Sequence, residues 1–401
     1  MKSPSLEKLI QLKDVVGENG IFNDGDWVES KDQDPNGDVR LTQLADVGVG
    51  EFLDRSSRFL TSEKAAELKC TFLNPGDVLI ARMPDPIGRA CIFSGDIQPC
   101  VTVVDVCIVR PDPESVHNRW LMWMINAPQF RHQLSPYFSG TTRQRISRRN
   151  LQNVSISIPL IDEQRRIANI LDRADAIRRK RQEAIRLTEE LLRSAFLEMF
   201  GDPVTNPKGW SVVKLEAVCR RITDGTHQPP EWASEGVPFL FVSNIVNGEI
   251  NFNVSKYITE ATWSSLSARC PIELNDILYT TVGSYGNAAL VRTEKQFSFQ
   301  RHIAHIKPDS KKIHPEFLLS LMQSQGIKQQ ADRQARGVAQ KTLNLRELKE
   351  FKILVPPRRQ QEQYVTFRRT VEHCLQSQSH SFKTQDEFFN SLLQRAFRGE
   401  L

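Results

Sequence analysis

Gly140 to Gln164 (GTTRQRISRRNLQNVSISIPLIDEQ) lies without a gap over Gly337 to Gln361 (GVAQKTLNLRELKEFKILVPPRRQQ), and that overlay decides how the chain is built. At a constant offset of 197 residues, Gly140 meets Gly337, Leu151 meets Leu348, Pro159 meets Pro356 and Gln164 meets Gln361. Most residues between these anchors differ, the pattern expected of two similar frames that recognise different things. Further out, Asp24-Gly25 recurs as Asp224-Gly225, Phe59-Leu60-Thr61 as Tyr257-Ile258-Thr259, Asp77-Val78-Leu79 as Asp276-Ile277-Leu278, and Gly88-Arg89-Ala90 as Gly286-Asn287-Ala288. The offset there drifts between 198 and 200, so small loop insertions separate the copies. A period this long marks a duplicated domain rather than a solenoid, whose units run about 20 to 50 residues.

A chain of 401 residues is long enough for two domains with a core each. With 39% hydrophobic and 25% charged residues its composition is that of a globular protein. The net charge of +5 says little by itself, because a nucleic-acid footprint depends on clustering. Seven cysteines without any C-x-x-C spacing argue against a disulfide framework and against a zinc ribbon. Met1 to Gly20 lacks an apolar core of the signal-peptide kind, and no long apolar run follows, so a cytoplasmic location without a membrane span is expected.

Short β-branched runs such as Asp77-Val78-Leu79-Ile80 and Val101 to Val109 alternate with turn signals at Asp34-Pro35-Asn36-Gly37 and Asn74-Pro75-Gly76-Asp77. These predict strands joined by long loops. One helix is expected over Asn118 to Leu134, with Trp120, Met124, Ile125 and Phe130 on a shared face, and its copy over His314 to Gln330.

Between and after these stretches the period changes. Seam positions fall at Ile167, Ile170, Ala174, Ile177, Arg181, Ala184, Thr188 and Leu191, and again at Tyr364, Phe367, Val371, Cys374, Gln378, Ser381, Gln385, Phe388 and Leu392. Steps of three and four are the spacing of a coiled-coil seam. No Pro or Gly interrupts either stretch before Gly201-Asp202-Pro203 and Gly399. Each would form a rod of roughly 60 Å, and neither would be stable unpacked. The expected fold is therefore α+β (mixed α/β), with two pseudo-two-fold-related globular domains at opposite ends of two long antiparallel coiled-coil helices. The expected boundaries are a first domain over 1–158, a first helix over 159–202, a second domain over 203–355 and a second helix over 356–401. Such symmetry would also bring Met1 close to Leu401.

The chain carries no G-x-x-x-x-G-K-[ST] loop, no G-x-G-x-x-G after a strand and no H-E-x-x-H. An amine-binding Asn/Asp-Pro-Pro-Tyr/Phe motif is also missing, and the Asp-Pro pairs lack a following Glu-x-Lys. His302-x-x-His305 lies in an apolar, strand-like stretch and reads poorly as a metal pair. No covalent chemistry is expected of this chain, and no metal or cofactor.

Nucleic-acid signals are stronger. Thr141 to Asn150 packs Arg143, Gln144, Arg145, Arg148 and Arg149 beside Gly140. Arginine forks suit guanine O6/N7, amides suit adenine N6/N7, and hydroxyls suit phosphate. The copy, Arg333 to Lys341, repeats that vocabulary with Arg336, Gln340 and Lys341. The loops Arg82 to Arg89 and Thr281 to Asn287 add candidate phosphate contacts at Arg82, Arg89, Tyr285 and Asn287, with glycines that allow close backbone approach. The plain alternative is a solvated charged face. Recurrence in the same place of two frames favours DNA. Arg178-Arg179-Lys180-Arg181 on the first rod, surrounded by Asp172, Asp175 and Glu183, reads as solvated or partner-facing.

Ile158-Pro159-Leu160-Ile161-Asp162-Glu163-Gln164-Arg165-Arg166-Ile167 leading into a long helix, its echo from Val355-Pro356-Pro357 to Gln361, and the closing Leu392 to Leu401 resemble the specificity (S) subunit of Type I restriction-modification systems. The resemblance covers the whole chain and departs at Gln360-Gln361, where the family has Glu-Gln. It implies a non-catalytic subunit whose two domains each read one half of a split, asymmetric double-stranded DNA site, with helices that set the gap. It also implies two modification (methyltransferase) subunits and restriction (motor-nuclease) subunits as partners, which would hold S-adenosylmethionine, ATP and Mg. The rival is a coiled-coil assembly protein whose globular domains bind protein rather than DNA.

Overall fold

The computed structural model describes residues 8–18, 20–268, 270–337 and 341–401. In each half, a turn closed by a carboxylate starts the central strand. Asp77 Oδ2 accepts from Asn74 N at 2.8 Å ahead of the buried strand Val78–Ala81, and Asp276 Oδ2 accepts from Glu273 N at 2.8 Å ahead of Ile277–Thr280. The carboxylates then meet a cation on the neighbouring strand: Arg110 bonds Asp77 at 2.7 and 2.8 Å, and Lys307 bonds Asp276 at 2.7 Å.

The sheets share one topology. In the first half the antiparallel order is Ile21–Asp24, Val106–Arg110, Val78–Ala81, Ala90–Ile92. In the second it is Cys219–Asp224, Ile303–Pro308, Ile277–Thr280, Ala288–Leu290. A smaller sheet joins Val39–Thr42 to Cys100–Thr102 in parallel, matched by Val237–Leu240 with Ser298–Phe299. The Asp-Gly pairs belong to this frame. A Cβ on Gly25 would collide with Val103 O, and one on Gly225 with Phe299 O, so both glycines mark close backbone approach.

Two helices stand where one was expected. Asn118–Asn126 ends at extended Ala127 before Pro128 opens Pro128–Leu134, because proline removes a donor and disfavours helical backbone in the residue before it. In the second half Ser324 caps Gln325–Gln334 through Ile327 N at 3.3 Å, separating it from Pro315–Met322.

The long helices run Ile161–Phe200 and Arg358–Ala396. By its internal contacts the chain divides into one unit of Met1–Glu183 with His380–Leu401 and a second of Ala184–Ser379. In the first unit, Phe389, Leu393 and Ala396 join the core built on Trp120 and Trp123, with Trp120 and Phe397 rings 6.0 Å apart. In the second, Phe196 and Phe200 enter the core around Phe317 and Tyr364, with Phe200 and Phe317 rings 4.8 Å apart. Met1, expected beside the chain's last residue, lies outside the described residues; Arg166 donates to Leu401 O at 2.8 Å.

The seam departs from its sequence reading. Ile167, Tyr364 and Val371 are buried and Ile170, Ala174, Phe367 and Leu392 half-buried, but Ile177 (56%), Leu191 (49%) and Phe388 (59%) are exposed. The buried stripe passes one residue later, through Arg178 and Phe389, which meet in a cation–π contact at 5.1 Å. Near their ends the helices pack on a globular half as well, which widens the stripe to Ile167-Ala168, Leu171 and Asp175 and moves it off a strict heptad.

Candidate nucleic-acid interface

Each frame throws out one short loop. In the first half Ser139 and Arg145 pair through both backbone bonds, at 2.9 and 2.8 Å, and in the second Arg336 and Thr342 pair likewise, at 2.9 and 2.7 Å. The loop in the first half turns at Gly140 (φ 97°), where a Cβ would lie 2.5 Å from Arg143 O. The residues between the paired ends, including Arg143 and Gln144, are exposed, as is Arg145. Among the described residues no carboxylate pairs with Arg143 or Arg145. Ser147 then caps the helix Arg148–Gln152 through Asn150 N at 3.1 Å, and Arg148 Nε lies 3.7 Å from Asp24.

In the second half Arg336 is exposed, with Glu347 no nearer than 3.9 Å, and Lys341 is exposed while its carbonyl accepts from Gly283 N at 3.0 Å. Gln340 lies outside the described residues.

Three candidates for phosphate are spent inside the protein. Arg89 is buried, and its guanidinium donates to the carbonyls of Val47 (2.6 Å), Met83 (3.0 Å), Pro86 (3.1 Å) and Leu44 (2.8 Å). It clamps its own loop. Arg82 lies 3.1 Å from Asp24 and donates to Ile146 O and Val104 O at 3.3 and 2.5 Å. Tyr285 donates its hydroxyl to Asp332 at 2.6 Å and stacks under the Lys328 ammonium at 4.1 Å. That hydrogen bond, then burial, holds the phenol pKa above its ordinary value. Asn287 donates to Ser284 O at 3.0 Å and lines a surface cleft of about 520 Å³ with Gln300 and His302. Two of the first-rod cations, expected to be solvated or partner-facing, are paired within the chain: Arg178 with Asp175 and Asp386, and Arg179 with Asp175 and Glu51.

A family model for the Type I restriction modification DNA specificity domain matches residues 8–187 and again 207–380. The chain belongs to this family. Both matches to the specificity domain begin in a globular half and run into or along a long helix. Similar proteins include the Type I restriction enzyme EcoBI specificity subunit of Escherichia coli, 26% identical over 76% of this chain and 70% of that one. The MjaIX specificity subunit of Methanocaldococcus jannaschii is 20% identical over 80% and 77%. Two solved structures share the fold. One, from work on complex assembly and conformational transition of the type I R-M system, has a TM-score of 0.58 at 18% identity, covering 100% of this chain and 99% of that one. The other, a Type-I restriction-modification S subunit from M. genitalium, has a TM-score of 0.56 at 14% identity, over 99% and 97%.

Sequence reading missed Arg301, His302, Thr342 and Asn344, which line a second cleft of about 340 Å³ with Asp224 and Thr281. Gln300-Arg301-His302 is a polar triplet that opens a buried strand, and that was the available signal. Of the two histidines that read poorly as a metal pair, His302 is on this surface, whereas His305 is buried against Asp276 at 2.7 Å. Among the described residues no group of three or more metal-ligating side chains occurs, and no helix is long and apolar enough to cross a membrane.

Proposed function

We propose that this chain is the non-catalytic DNA-reading subunit of a Type I restriction-modification complex, each globular half reading one part of a bipartite, asymmetric double-stranded target. The observation that carries this is the duplicated loop: one backbone frame, closed at Ser139–Arg145 and at Arg336–Thr342, holds exposed Arg143, Gln144 and Arg145 in one copy and exposed Arg336 and Lys341 in the other. Equal frames place the readers equivalently, and unequal fillings make the half-sites differ. Arg143, Gln144 and Arg145 are the base-edge residues of the first loop, with Arg148 beside them; Arg336, Gln340 and Lys341 serve the second.

The specificity-subunit relatives extend the reading. The long helices would run antiparallel as a coiled-coil ruler between the halves, set the spacer and dock two methyltransferase subunits. S-adenosylmethionine, ATP and Mg would belong to those and to the motor-nuclease subunits, in the cytoplasm. Mapping methylated adenines across the genome with and without this chain tests it: a two-part motif with a fixed gap should vanish on deletion. Binding of the complex that does not weaken steeply with salt would count against DNA as the ligand.

A further inference from the structure

The frame that Arg82 fills in the first half is kept in the second without an arginine. Ile146 N donates to Arg82 O at 3.0 Å, and Leu343 N to Thr281 O at 2.8 Å. Arg82 N donates to Asp105 O at 2.9 Å, and Thr281 N to His302 O at 2.9 Å. Asp24, 3.1 Å from Arg82, is matched by Asp224. Every backbone partner is in place, but the Thr281 hydroxyl reaches only His302 O, at 3.0 Å. Asp224 is met instead by His227 Nε2 at 2.8 Å, and a cleft of about 340 Å³ lies against Asp224 and Thr281.

The flank changes with it. Where the first half has Val103-Val104-Asp105, the second has Gln300-Arg301-His302. Arg301 is exposed, and its one side-chain bond among the described residues is a long one, Nε to His302 Nε2 at 3.4 Å. Burial, then the neighbouring Arg301 charge, keeps the His302 pKa below its ordinary value, so the ring is a neutral imidazole with one donor and one acceptor. A guanidinium fork beside such a ring matches the paired N7 and O6 acceptors of a purine edge.

We propose that this cleft is a base-reading pocket of the second half, and that Arg301 and His302 are its specificity-determining residues, receiving a purine edge beside Thr281, which stands where the first half has Arg82. The inference rests on the DNA-reading function proposed above and adds the cleft beside the Arg336–Thr342 loop to the readers of the second half. The halves then read by different means: the first presents a protruding loop over a filled frame, the second a loop beside an open cleft.

The test uses the full chain assembled with its modification subunits, scoring methylated sites base by base. Arg301→Ala and His302→Ala should reduce discrimination at one or two positions of one half-site by roughly 10- to 100-fold. The other half-site serves as internal control and should not change. Thr281→Arg, which rebuilds the first half's filling opposite Asp224, should alter the same positions. Unchanged preferences in all three variants, while exchange of residues 203–355 alters the half-site, would overturn the pocket assignment. If that exchange also leaves the recognised sequence unchanged, the DNA reading by this half fails instead. Arg301 is exposed, so its variant decides the matter even if Thr281→Arg does not fold.

Discussion

The backbone N–H of His117 donates to the side-chain oxygen of Gln164 across 2.8 Å. Gln164 Nε2 donates onward to Ser115 O and Pro159 O, both at 2.9 Å, so one buried amide ties the start of the first long helix to the start of Asn118–Asn126. Gln361 repeats the bond with His314 N at 2.8 Å and donates to Pro356 O at 2.7 Å. The glutamine that keeps its spacing in the sequence overlay is a latch between helix and domain.

Replacing Gln164 by Leu takes the partner from the half-buried His117 N–H and from two carbonyls. The first half should lose about 1–3 kcal/mol, visible as faster hydrogen exchange at His117 and a lower urea midpoint. Unaltered exchange at His117 would show that the latch is energetically idle.

Arg89 and Arg143 should part company. Arg89→Ala removes a clamp on four carbonyls and should lower the melting temperature, with DNA affinity falling only as the fold does. Arg143→Ala should leave melting unchanged and weaken one half-site by about 1–3 kcal/mol. Equal effects of the two on melting would contradict the division of roles.

Asp276 gives the second half an acid-sensitive point. Burial raises its pKa, but the bonds from His305 and Lys307 outweigh this and hold it below the ordinary carboxylate value. A depressed folded value means the stabilisation is present above about pH 4, where an unfolded aspartate ionises, and fades as pH falls through the folded value. Asp276→Asn should cost about 3 kcal/mol at neutral pH by removing the nearer carboxylate of buried Lys307, whose other, Glu273, lies at 3.4 Å, and should flatten the acid limb of the stability curve. A limb as steep as the parent's would assign acid sensitivity elsewhere.

Four residues inserted in the first long helix, between Ala184 and Ala195, lengthen it by about 6 Å, close to two base-pair steps of about 3.4 Å. The methylated motif should keep both half-sites and gain a longer gap. An unchanged gap would remove the helices from any measuring role.

The duplication was legible because glycine, proline and glutamine sit where backbone geometry or a buried latch allows little else, as at Gly140, Pro159 and Gln164. The long helices were legible in extent, since nothing breaks them, but not in face. Ile177, Leu191 and Phe388 fit the heptad in text, yet the stripe is set jointly by the other helix and by Trp120 and Trp123 in the first half and by Phe317 in the second. At the interface, Arg143, Gln144 and Arg145 are exposed on a loop whose closing bridge could not be read from sequence. Arg89 looked like a phosphate ligand because four converging carbonyls have no signature in the text. The cleft at Arg301 and His302 was invisible for the opposite reason: it is defined by a side chain that Thr281 lacks.

The Phe389, Leu393 and Ala396 contribution to the first core also sets a timetable for synthesis. A chain leaving the ribosome from its N-terminal end carries its first half with Trp120 and Trp123 partly uncovered until His380–Leu401 emerges, whereas the second half is complete once Ser379 is made. The half translated first is the last to be finished, and a chaperone that recognises exposed aromatic surface would find its client there.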